Sequence, residues 1–391
     1  MMDEKMDVIV VGAGIVGTSV AYHLSLEGLK VCLMDREAVG SGASAHGHGL
    51  LSVVGRDFKP GPYFLLGLES ARMFPDFVDR VMDEVKVAPL FQECLGVNLA
   101  LTEEEEEIFR HSMSWQQDYL DMRWASTEEI RSIEPRITPD ARGGVLNRYG
   151  QVDAYKLCLA LTQAVEQRGG QVLLREATGI EKEGTRATGV TYPGGRVMGD
   201  VVVVAMGAWS GIARQWLNFP VPVRPLHGEV LHVVMDGDPL RLFVLTARHG
   251  PIIQRLDGTI LVGSLGGVSM SGMDVDALHV FDPEDEAPLE FDLSPSQKGR
   301  DSMLEKVVKV MPEIADARVI DHLAGVRPLC ADRMPLIGPV PGWTGVYLAT
   351  GHGTKGIHLS AVTGKIIADQ IVRGESSIPA DAFSPGRFLT S

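Results

Sequence analysis

The start of the chain carries the pattern that most restricts how it can fold. Residues 7–11 (Asp-Val-Ile-Val-Val) are a short apolar run rich in β-branched side chains, and the turn Gly12-Ala13-Gly14-Ile15-Val16-Gly17 follows directly. Apolar residues then recur at helical spacing as far as Gly28, and a second apolar run, 30–34, ends at Asp35. A strand that is apolar throughout is typical of a parallel sheet covered on both faces. The order strand, glycine turn, helix, strand therefore predicts a β-α-β unit and an α/β fold.

Each glycine of the turn has a separate physical task. Gly12 permits the tight turn after the strand, Gly14 lets the backbone approach a pyrophosphate, and Gly17 lets the helix lie close to the strand. The free N–H groups and the positive dipole end of the helix favour a phosphate group there. Asp35, about 20 residues beyond the turn, can accept both hydroxyls of an adenosine ribose. The pattern predicts an adenine dinucleotide site without separating FAD from NAD, and the alternative is a plain α/β unit.

Size, charge and cysteine content narrow the class of protein. A chain of 391 residues is too long for one ordinary core, so two domains are expected. The net charge of −15 argues against nucleic acid and against an anionic membrane as partners. Four scattered cysteines without a Cys-x-x-Cys pair argue against a zinc or iron–sulfur site and are typical of a reducing compartment. The first residues resemble no signal peptide and the first apolar run is too short to span a bilayer, so we expect a cytoplasmic location and no membrane span.

Hydrophobic periodicity predicts the remaining elements. The apolar runs 171–174 and 200–204, the second ending in a glycine turn at Gly207, are expected to return to the first sheet, which makes the nucleotide domain discontinuous in sequence. Strand-like segments between 227 and 264 predict antiparallel hairpins of a second domain. Helices are predicted at 64–85, 103–119, 127–134, 154–168, 302–311 and 357–372.

Three other segments have local interpretations. Residues 36–51, rich in glycine, serine and histidine, are expected to run along the nucleotide because small residues allow close backbone approach; the alternative is a flexible surface connection. The glutamate run 103–107 is expected to be a solvated first turn of its helix. The polar stretch 266–294 is expected to be a long loop, either a lid or a disordered insertion.

Four motifs in order resemble the D-amino-acid oxidase superfamily of flavoproteins, and most of all its glycine oxidase and sarcosine oxidase branch. The match runs over nearly the whole chain and is weakest at 58–137 and 266–294. The residues that carry the resemblance are Val10–Gly17, Ala205–Ser210, Gly325–Pro328 and Gly351–Ile357. The resemblance implies a Rossmann-like FAD-binding domain of the glutathione-reductase type, formed by residues 1–57, 142–220 and 322–391, and an antiparallel-sheet substrate-binding domain, formed by 58–141 and 221–321.

The resemblance also implies FAD as the cofactor and a set of residues around it. Reduced flavin carries negative charge near N1 and the C2 carbonyl, so a helix opening at Gly356, with Lys355 beside it, is suited to that edge. Some relatives attach FAD covalently through a histidine near the position of His46, and the alternative for His46 is simple packing beside the flavin. The residues expected to contact FAD are Gly12, Gly14, Ile15, Val16, Gly17, Asp35, Arg36, Ala43, Ser44, His46, His48, Gly49, Leu50, Gly179, Gly207, Gly351, His352, Gly353, Thr354, Lys355, Gly356 and Ile357.

On the substrate side, the resemblance implies that Arg327 of the Gly-x-Arg-Pro motif binds the carboxylate of the substrate. A guanidinium suits this task because its planar fork meets both carboxylate oxygens. In the sarcosine oxidase branch a lysine at the position of Lys355 assists. The alternatives are a structural ion pair for Arg327 and a solvent-exposed side chain for Lys355. Where the glycine oxidase branch has a tyrosine, this chain has Pro251 beside His249, so its substrate pocket differs and glycine itself becomes doubtful.

The implied reaction is the oxidation of a small carboxylate-bearing amine, such as glycine, sarcosine, a D-amino acid or a proline-like compound. A hydride passes from Cα to flavin N5, and the resulting imine hydrolyses. Oxygen or an electron-accepting partner then takes the electrons. The sequence leaves open a dehydrogenase that serves a quinone or a partner subunit, a 2-hydroxy-acid oxidoreductase, a non-catalytic FAD-binding subunit, and the oligomeric state. No metal is expected.

Overall fold

The computed structural model describes residues 5–54, 58–263, 280–285, 288 and 290–389. The strands, numbered in chain order, are β1 (Met6–Val11), β2 (Val31–Asp35), β3 (Leu50–Leu51), β4 (Gln92–Ala100), β5 (Arg123–Ala125), β6 (Gly143–Gln151), β7 (Gln171–Leu174), β8 (Gly179–Glu183), β9 (Arg186–Tyr192), β10 (Gly195–Val204), β11 (Val223–Val234), β12 (Phe243–Leu245), β13 (Ile252–Gln254), β14 (Ile260–Gly263), β15 (Arg318–Cys330), β16 (Leu336–Pro339) and β17 (Val346–Thr350). The α-helices are α1 (Ile15–Leu26), α2 (Pro62–Glu84), α3 (Glu103–Gln116), α4 (Thr127–Ile133), α5 (Ala154–Gln167), α6 (Ala213–Leu217), α7 (Gln297–Val310) and α8 (Ser360–Arg373).

The first sheet is built around β1. This strand pairs in parallel with β2 on one side and with β10 on the other, and β7 and β17 extend the parallel order outward. Val8 and Val10 pack with helices α1, α5 and α8, whereas Ile9 and Val11 face a second apolar core on the opposite side. Burial on both faces explains why this strand is apolar almost throughout. The predicted α/β fold and the return of β7 and β10 to the first sheet are confirmed.

The second sheet has the order β15-β11-β14-β13-β12-β4-β6-β3, with β5 on β6. Its pairing is antiparallel, as predicted for 227–264, except that β12 runs parallel to β4. One face packs on α4 and α7 through a core that includes Leu99, Val244 and Val307. The long β11–β15 ladder sets Gly228 opposite Gly325, which brings two glycines to the place where the site described below is formed.

Strand pairing does not follow the predicted domain boundaries. Strands β3, β6 and β15 pair within the second sheet, although the prediction assigned most of their residues to the FAD-binding domain. The division into two domains therefore stays a prediction. The predicted loop 266–294 lies largely outside the described residues. Among the helices that the structure describes, none combines the length and the apolar composition needed to cross a membrane.

Two local predictions are correct in outline but wrong in one detail each. Glu105, placed by the sequence in a solvated turn, is wholly buried and completes a capping box in which its carboxylate accepts from the N–H groups of Leu101 and Thr102. The last helix begins at Ser360 rather than at residue 357, because residues 353–359 form tighter turns in which Lys355 N–H donates to His352 O. Both differences arise from hydrogen bonds that periodicity alone does not encode.

Candidate active site

A cavity of about 580 Å³ lies where the two sheets meet. Its first wall comes from the carboxyl ends of β1, β2, β10 and β17, and its second wall from β4, β11, β12 and β15. Ligands in open α/β sheets bind outside the carboxyl ends of the parallel strands, so this position is the expected one for a nucleotide. Asp35 lines the cavity from the first sheet, and Arg327 and Asn98 line it from the second sheet.

The glycine turn has the geometry that the sequence predicted. Gly12 has φ +109°, and a Cβ there would lie 2.2 Å from Ala205 O; a Cβ at Gly17 would lie 1.8 Å from Gly12 O. Neither position can hold a side chain without moving the backbone. A Cβ at Gly14 would meet only Ser44 Oγ, at 3.4 Å, and Gly14 lines the cavity. The open backbone at Gly14 is therefore the part of the turn that a pyrophosphate can approach.

Asp35 lies at the adenosine end of the cavity. Its carboxylate accepts hydrogen bonds from Ala13 N at 2.8 Å and Glu37 N at 2.9 Å, which fixes the side chain at the edge of the glycine turn. Arg36 stacks over the Trp209 ring at 4.1 Å. Two charged residues that the sequence analysis missed, Arg175 and Glu176, also line this end. Their segment follows β7 without a local motif, so only the parallel β2–β7 pairing reveals their position.

The loop after β2 lines the middle of the cavity, as predicted. Residues 41–44 and 46–50 contribute to its wall, and Ser44 Oγ accepts a hydrogen bond from Ile15 N at 2.9 Å. Gly49 has φ +73°, and a Cβ there would lie 1.7 Å from Val152 O. His46 Nδ1 lies 3.0 Å from Gly42 O, and its Cβ lies against Gly325. The covalent role considered for His46 stays a hypothesis.

Two histidines of the cavity are held neutral. Burial, together with the charges of Arg327, His232 and Arg255, lowers the pKa of His48 to about 3. Burial lowers the pKa of His352 to about 3, and its Nε2 lies 3.0 Å from Thr363 Oγ1. At neutral pH both side chains are imidazoles and add no positive charge to the cavity.

The turn that follows β17 forms the opposite wall of the same region. His352, Gly353, Thr354, Lys355, Gly356 and Ile357 all line the cavity. Gly351 does not; it has φ +78°, and a Cβ there would lie 3.0 Å from Cys330 Cβ, so it serves the fold of the turn. Lys355 Nζ lies 5.1 Å from the centre of the Phe58 ring, which provides a cation–π contact.

Arg327 is the cationic side chain that the second sheet contributes to the cavity. It lies on β15 and packs against Gly228 of β11, where a Cβ would lie 2.0 Å from Arg327 Nη1. Burial lowers the pKa of its guanidinium, which nevertheless remains charged. Among the described residues, Nη1 has no hydrogen-bond partner and no carboxylate forms an ion pair with this side chain. The alternative of a structural ion pair is therefore not observed in the described part of the chain.

The remaining wall of the cavity is mostly apolar and comes from the second sheet and α3. Pro251 belongs to this wall as predicted, but His249 does not: its Nδ1 lies 3.9 Å from Glu105 Oε1, behind Thr246. Gly179 lies within β8 and is likewise not part of the wall. The wall residues that the sequence analysis missed are Asn98, Phe109, Leu245, Thr246 and Ala247.

Fold and cavity together define the class of this protein. Residues 7–370 match the family described as FAD dependent oxidoreductase (DAO), and the chain belongs to this family. The resemblance and the FAD cofactor predicted from the motifs are thereby confirmed. The open backbone at Gly14 in the glycine turn fits the diphosphate of this cofactor, and the carboxylate of Asp35 fits its ribose.

Relatives are similar to this chain over its full length. The glycine oxidase of Geobacillus kaustophilus (strain HTA426) is 27% identical over 393 residues, which cover 99% of this chain and 98% of the relative. The glycine oxidase of Pseudomonas aeruginosa is 29% identical over 388 residues, covering 98% and 99%. The crystal structure of glycine oxidase from Geobacillus kaustophilus gives a TM-score of 0.87 at 25% identity, covering 99% of this chain and 100% of that chain.

Proposed function

We propose that this protein uses FAD to oxidise a small amino acid or N-alkyl amino acid. The observation that carries the proposal is the buried guanidinium of Arg327, which has no counter-ion among the described residues and lines the same cavity as the glycine turn 12–17. A buried charge without a counter-ion is unfavourable, and a substrate carboxylate would supply one. The glycine oxidases similar to this chain support an amine as the other functional group.

Bound FAD supplies the acceptor, flavin N5, for the hydride that leaves the substrate Cα. Asp35 would bind the ribose, Gly14 would lie against the pyrophosphate, and the turn 353–357 would donate N–H groups to the flavin edge. Arg327 holds the substrate carboxylate through two parallel hydrogen bonds, and Lys355 adds a second positive charge. Fixing the carboxylate orients the Cα–H bond, and orientation of this kind lowers the barrier by several kcal/mol.

The amine must lose its proton before it can release a hydride. The cavity does not require a side-chain base for this step, because solution can take the proton before binding. His48 and His352 are neutral near pH 7 because burial lowers their pKa values. The rate therefore rises with pH through deprotonation of the substrate amine rather than of these residues.

The electron acceptor is either oxygen or a redox partner, and we place the reaction in the cytoplasm. All four cysteines are free thiols, as expected for a reducing compartment. Reoxidation of the reduced protein by oxygen, compared with a quinone analogue and an artificial dye, separates the acceptors. Fast peroxide formation indicates an oxidase, whereas slow peroxide formation with fast dye reduction indicates a dehydrogenase.

The decisive experiment mixes the purified yellow protein, without oxygen, with separate solutions of glycine, sarcosine, dimethylglycine, D- and L-amino acids, proline, hydroxyproline and 2-hydroxy acids. Loss of the flavin absorbance near about 450 nm measures transfer of the hydride. Rapid bleaching by an amine supports the proposal. Bleaching by a hydroxy acid alone changes the substrate class, and no bleaching by any compound favours a non-catalytic FAD-binding subunit.

A further inference from the structure

We propose that Asn98 determines substrate specificity by forming a hydrogen bond with a second polar group of the substrate. This group is a hydroxyl, amide or carboxylate on the side chain or on the N-substituent, in addition to the carboxylate held by Arg327. The inference rests on the proposed function and extends it, because it names which small amino acids the cavity favours.

The position of Asn98 in the sheet directs its side chain into the cavity. On β4 its neighbours Val97 and Leu99 belong to the core beneath the sheet, so the alternation of a strand turns Asn98 to the opposite face. Its partners in register are Val145 of β6 and Leu245 of β12. Asn98 is 4% exposed and is part of the cavity wall.

The described residues leave the N–H donor of the Asn98 amide without a partner. Its Nδ2 is buried and has no hydrogen-bond partner among the residues that the structure describes. Buried polar groups are almost always paired, since an unpaired donor loses the hydrogen bonds that water would provide. Phe109, Leu245 and Ala247, which line the same part of the described wall, are apolar and offer no partner. The amide is thus a donor prepared for a group that arrives with the ligand.

The hydroxyl of Thr246, the other polar group of this wall, already forms hydrogen bonds within the protein. Thr246 Oγ1 accepts from His249 N at 2.8 Å and donates to Gly250 O at 3.2 Å. Arg327 is assigned to the substrate carboxylate, so the Asn98 partner is a different substrate group. Ala247 and Pro251 have short side chains and leave room for such a group. A site built to hydrogen-bond a substrate group rejects the analogue that lacks it much more strongly than an apolar pocket rejects an added hydroxyl.

The test uses pairs of amino acids with nearly the same shape: serine with 2-aminobutyrate, homoserine with norvaline, and asparagine with leucine, each in both chiral forms. For each pair, kcat/KM is measured by anaerobic flavin bleaching with the holoenzyme and with Asn98→Leu. The holoenzyme is expected to prefer the polar member of at least one pair by about tenfold or more. In Asn98→Leu the ratio of kcat/KM for the polar member to kcat/KM for the apolar member is expected to fall to one or below. The polar member loses its hydrogen bond, whereas the apolar member gains a contact with the leucine side chain.

Asn147→Leu is the matched control. Asn147 is another buried asparagine, on the neighbouring strand β6, but it does not line the cavity. The polar-to-apolar ratio of kcat/KM in Asn147→Leu should equal that of the unchanged protein. Flavin content and Tm show whether both variants fold. If Asn98→Leu is too unstable, Asn98→Ala, whose side chain can neither donate nor accept a hydrogen bond, should show the same loss of preference.

The possible failures are distinct. Equal ratios in the unchanged protein and in Asn98→Leu, with flavin still bleached, overturn the role of Asn98 and leave the proposed function intact. Bleaching by no amine of the panel overturns the proposed function and this inference with it.

Discussion

Arg327 illustrates how a single residue links the fold to the chemistry. It lies on β15 in the long β11–β15 ladder, and the missing side chain of Gly228 leaves room for its guanidinium. The described surroundings provide no counter-ion. A lysine at this position would retain the charge but would lose the planar fork that matches a carboxylate. The function of the site therefore depends on both the charge and the shape of this side chain.

Replacing Arg327 by Leu should raise the KM of a carboxylate substrate steeply while FAD remains bound. A charged hydrogen bond contributes about 1.5–3 kcal/mol, so kcat/KM should fall on the order of 10- to 100-fold. Steady-state kinetics give the change, and the visible flavin spectrum checks that the cofactor stays bound. Arg327→Lys is the control, and its kcat/KM should lie between those of the unchanged protein and Arg327→Leu. An unchanged KM in Arg327→Leu would remove the role assigned to Arg327.

Because of His358, the free energy of unfolding should fall as the pH is lowered below about 6.5. Burial and the charge of Lys355 lower its pKa to about 3, although its Nε2 donates to Gly67 O at 2.9 Å. Above the ordinary histidine pKa of about 6.5, both the folded and the unfolded protein are neutral at this position. Below that value only the unfolded chain takes up the proton, so stability falls by about 1.4 kcal/mol per pH unit until the folded pKa is reached.

Urea titrations of His358→Gln and of the unchanged protein between pH 7 and pH 5 measure this effect. Glutamine keeps an N–H for Gly67 O but does not titrate. The variant should lose less unfolding free energy over this interval. Identical losses in the two proteins would show that His358 is not shielded in the folded state.

At the scale of elements, the contact between β1 and α1 depends on glycines that have different tasks. Gly17 lies where the helix touches the turn backbone, and Gly14 faces the cavity. The sequence pattern predicted both, because the order of the two strands, the turn and the helix is local and fixes the backbone path. Only the structure separates the glycine that serves packing from the one that faces a ligand.

Gly17→Ala and Gly14→Ala should therefore have different effects. The Gly17 Cβ would lie 1.8 Å from Gly12 O, so the helix must move; we expect a loss of about 1–3 kcal/mol in the apoprotein and weaker FAD binding. The Gly14 Cβ meets only Ser44 Oγ at 3.4 Å, so the apoprotein should keep its stability while FAD binding weakens.

Thermal unfolding of the apoproteins and FAD titration by flavin fluorescence distinguish the two variants. Gly386→Ala is a control for the glycine substitution itself, since Gly386 does not line the cavity and a Cβ there would meet nothing closer than Ser384 Oγ at 3.4 Å. Equal apoprotein stabilities for Gly14→Ala and Gly17→Ala would contradict the separation of tasks.

At the scale of the whole molecule, the cavity joins the two sheets. The first sheet contributes the glycine turn and Asp35, whereas the second contributes Arg327 and Asn98. A ligand that contacts both sheets therefore stabilises the two sheets together. The energy of this coupling follows from mass action and depends on how tightly the ligand binds.

FAD should raise the Tm of the apoprotein far more than FMN, because FMN lacks the adenosine and the second phosphate for which Asp35 and Gly14 are placed. At a concentration of 100 times Kd, a ligand adds about 2.7 kcal/mol to the free energy of unfolding. Scanning calorimetry of the apoprotein with either flavin measures the difference. Equal effects of FMN and FAD would show that the adenosine end contributes nothing.

The sequence alone determined the β-α-β unit, the glycine turn and the carboxylate at Asp35. Each of these follows from spacing along a short segment, where backbone geometry and burial on one or both faces leave a visible period. The resemblance carried by four motifs extended this information to the family and to FAD.

The tertiary structure decided what local spacing does not encode. Glu105 is buried because of its hydrogen bonds, and His249 lies behind the cavity wall rather than in it. Arg175 and Asn98 reach the cavity through the pairing of strands that are far apart in the chain. The face that such a strand presents depends on its register with its neighbours, and a shift of one residue would reverse it. For that reason the cofactor could be predicted from the sequence, whereas the wall that would select the substrate could not.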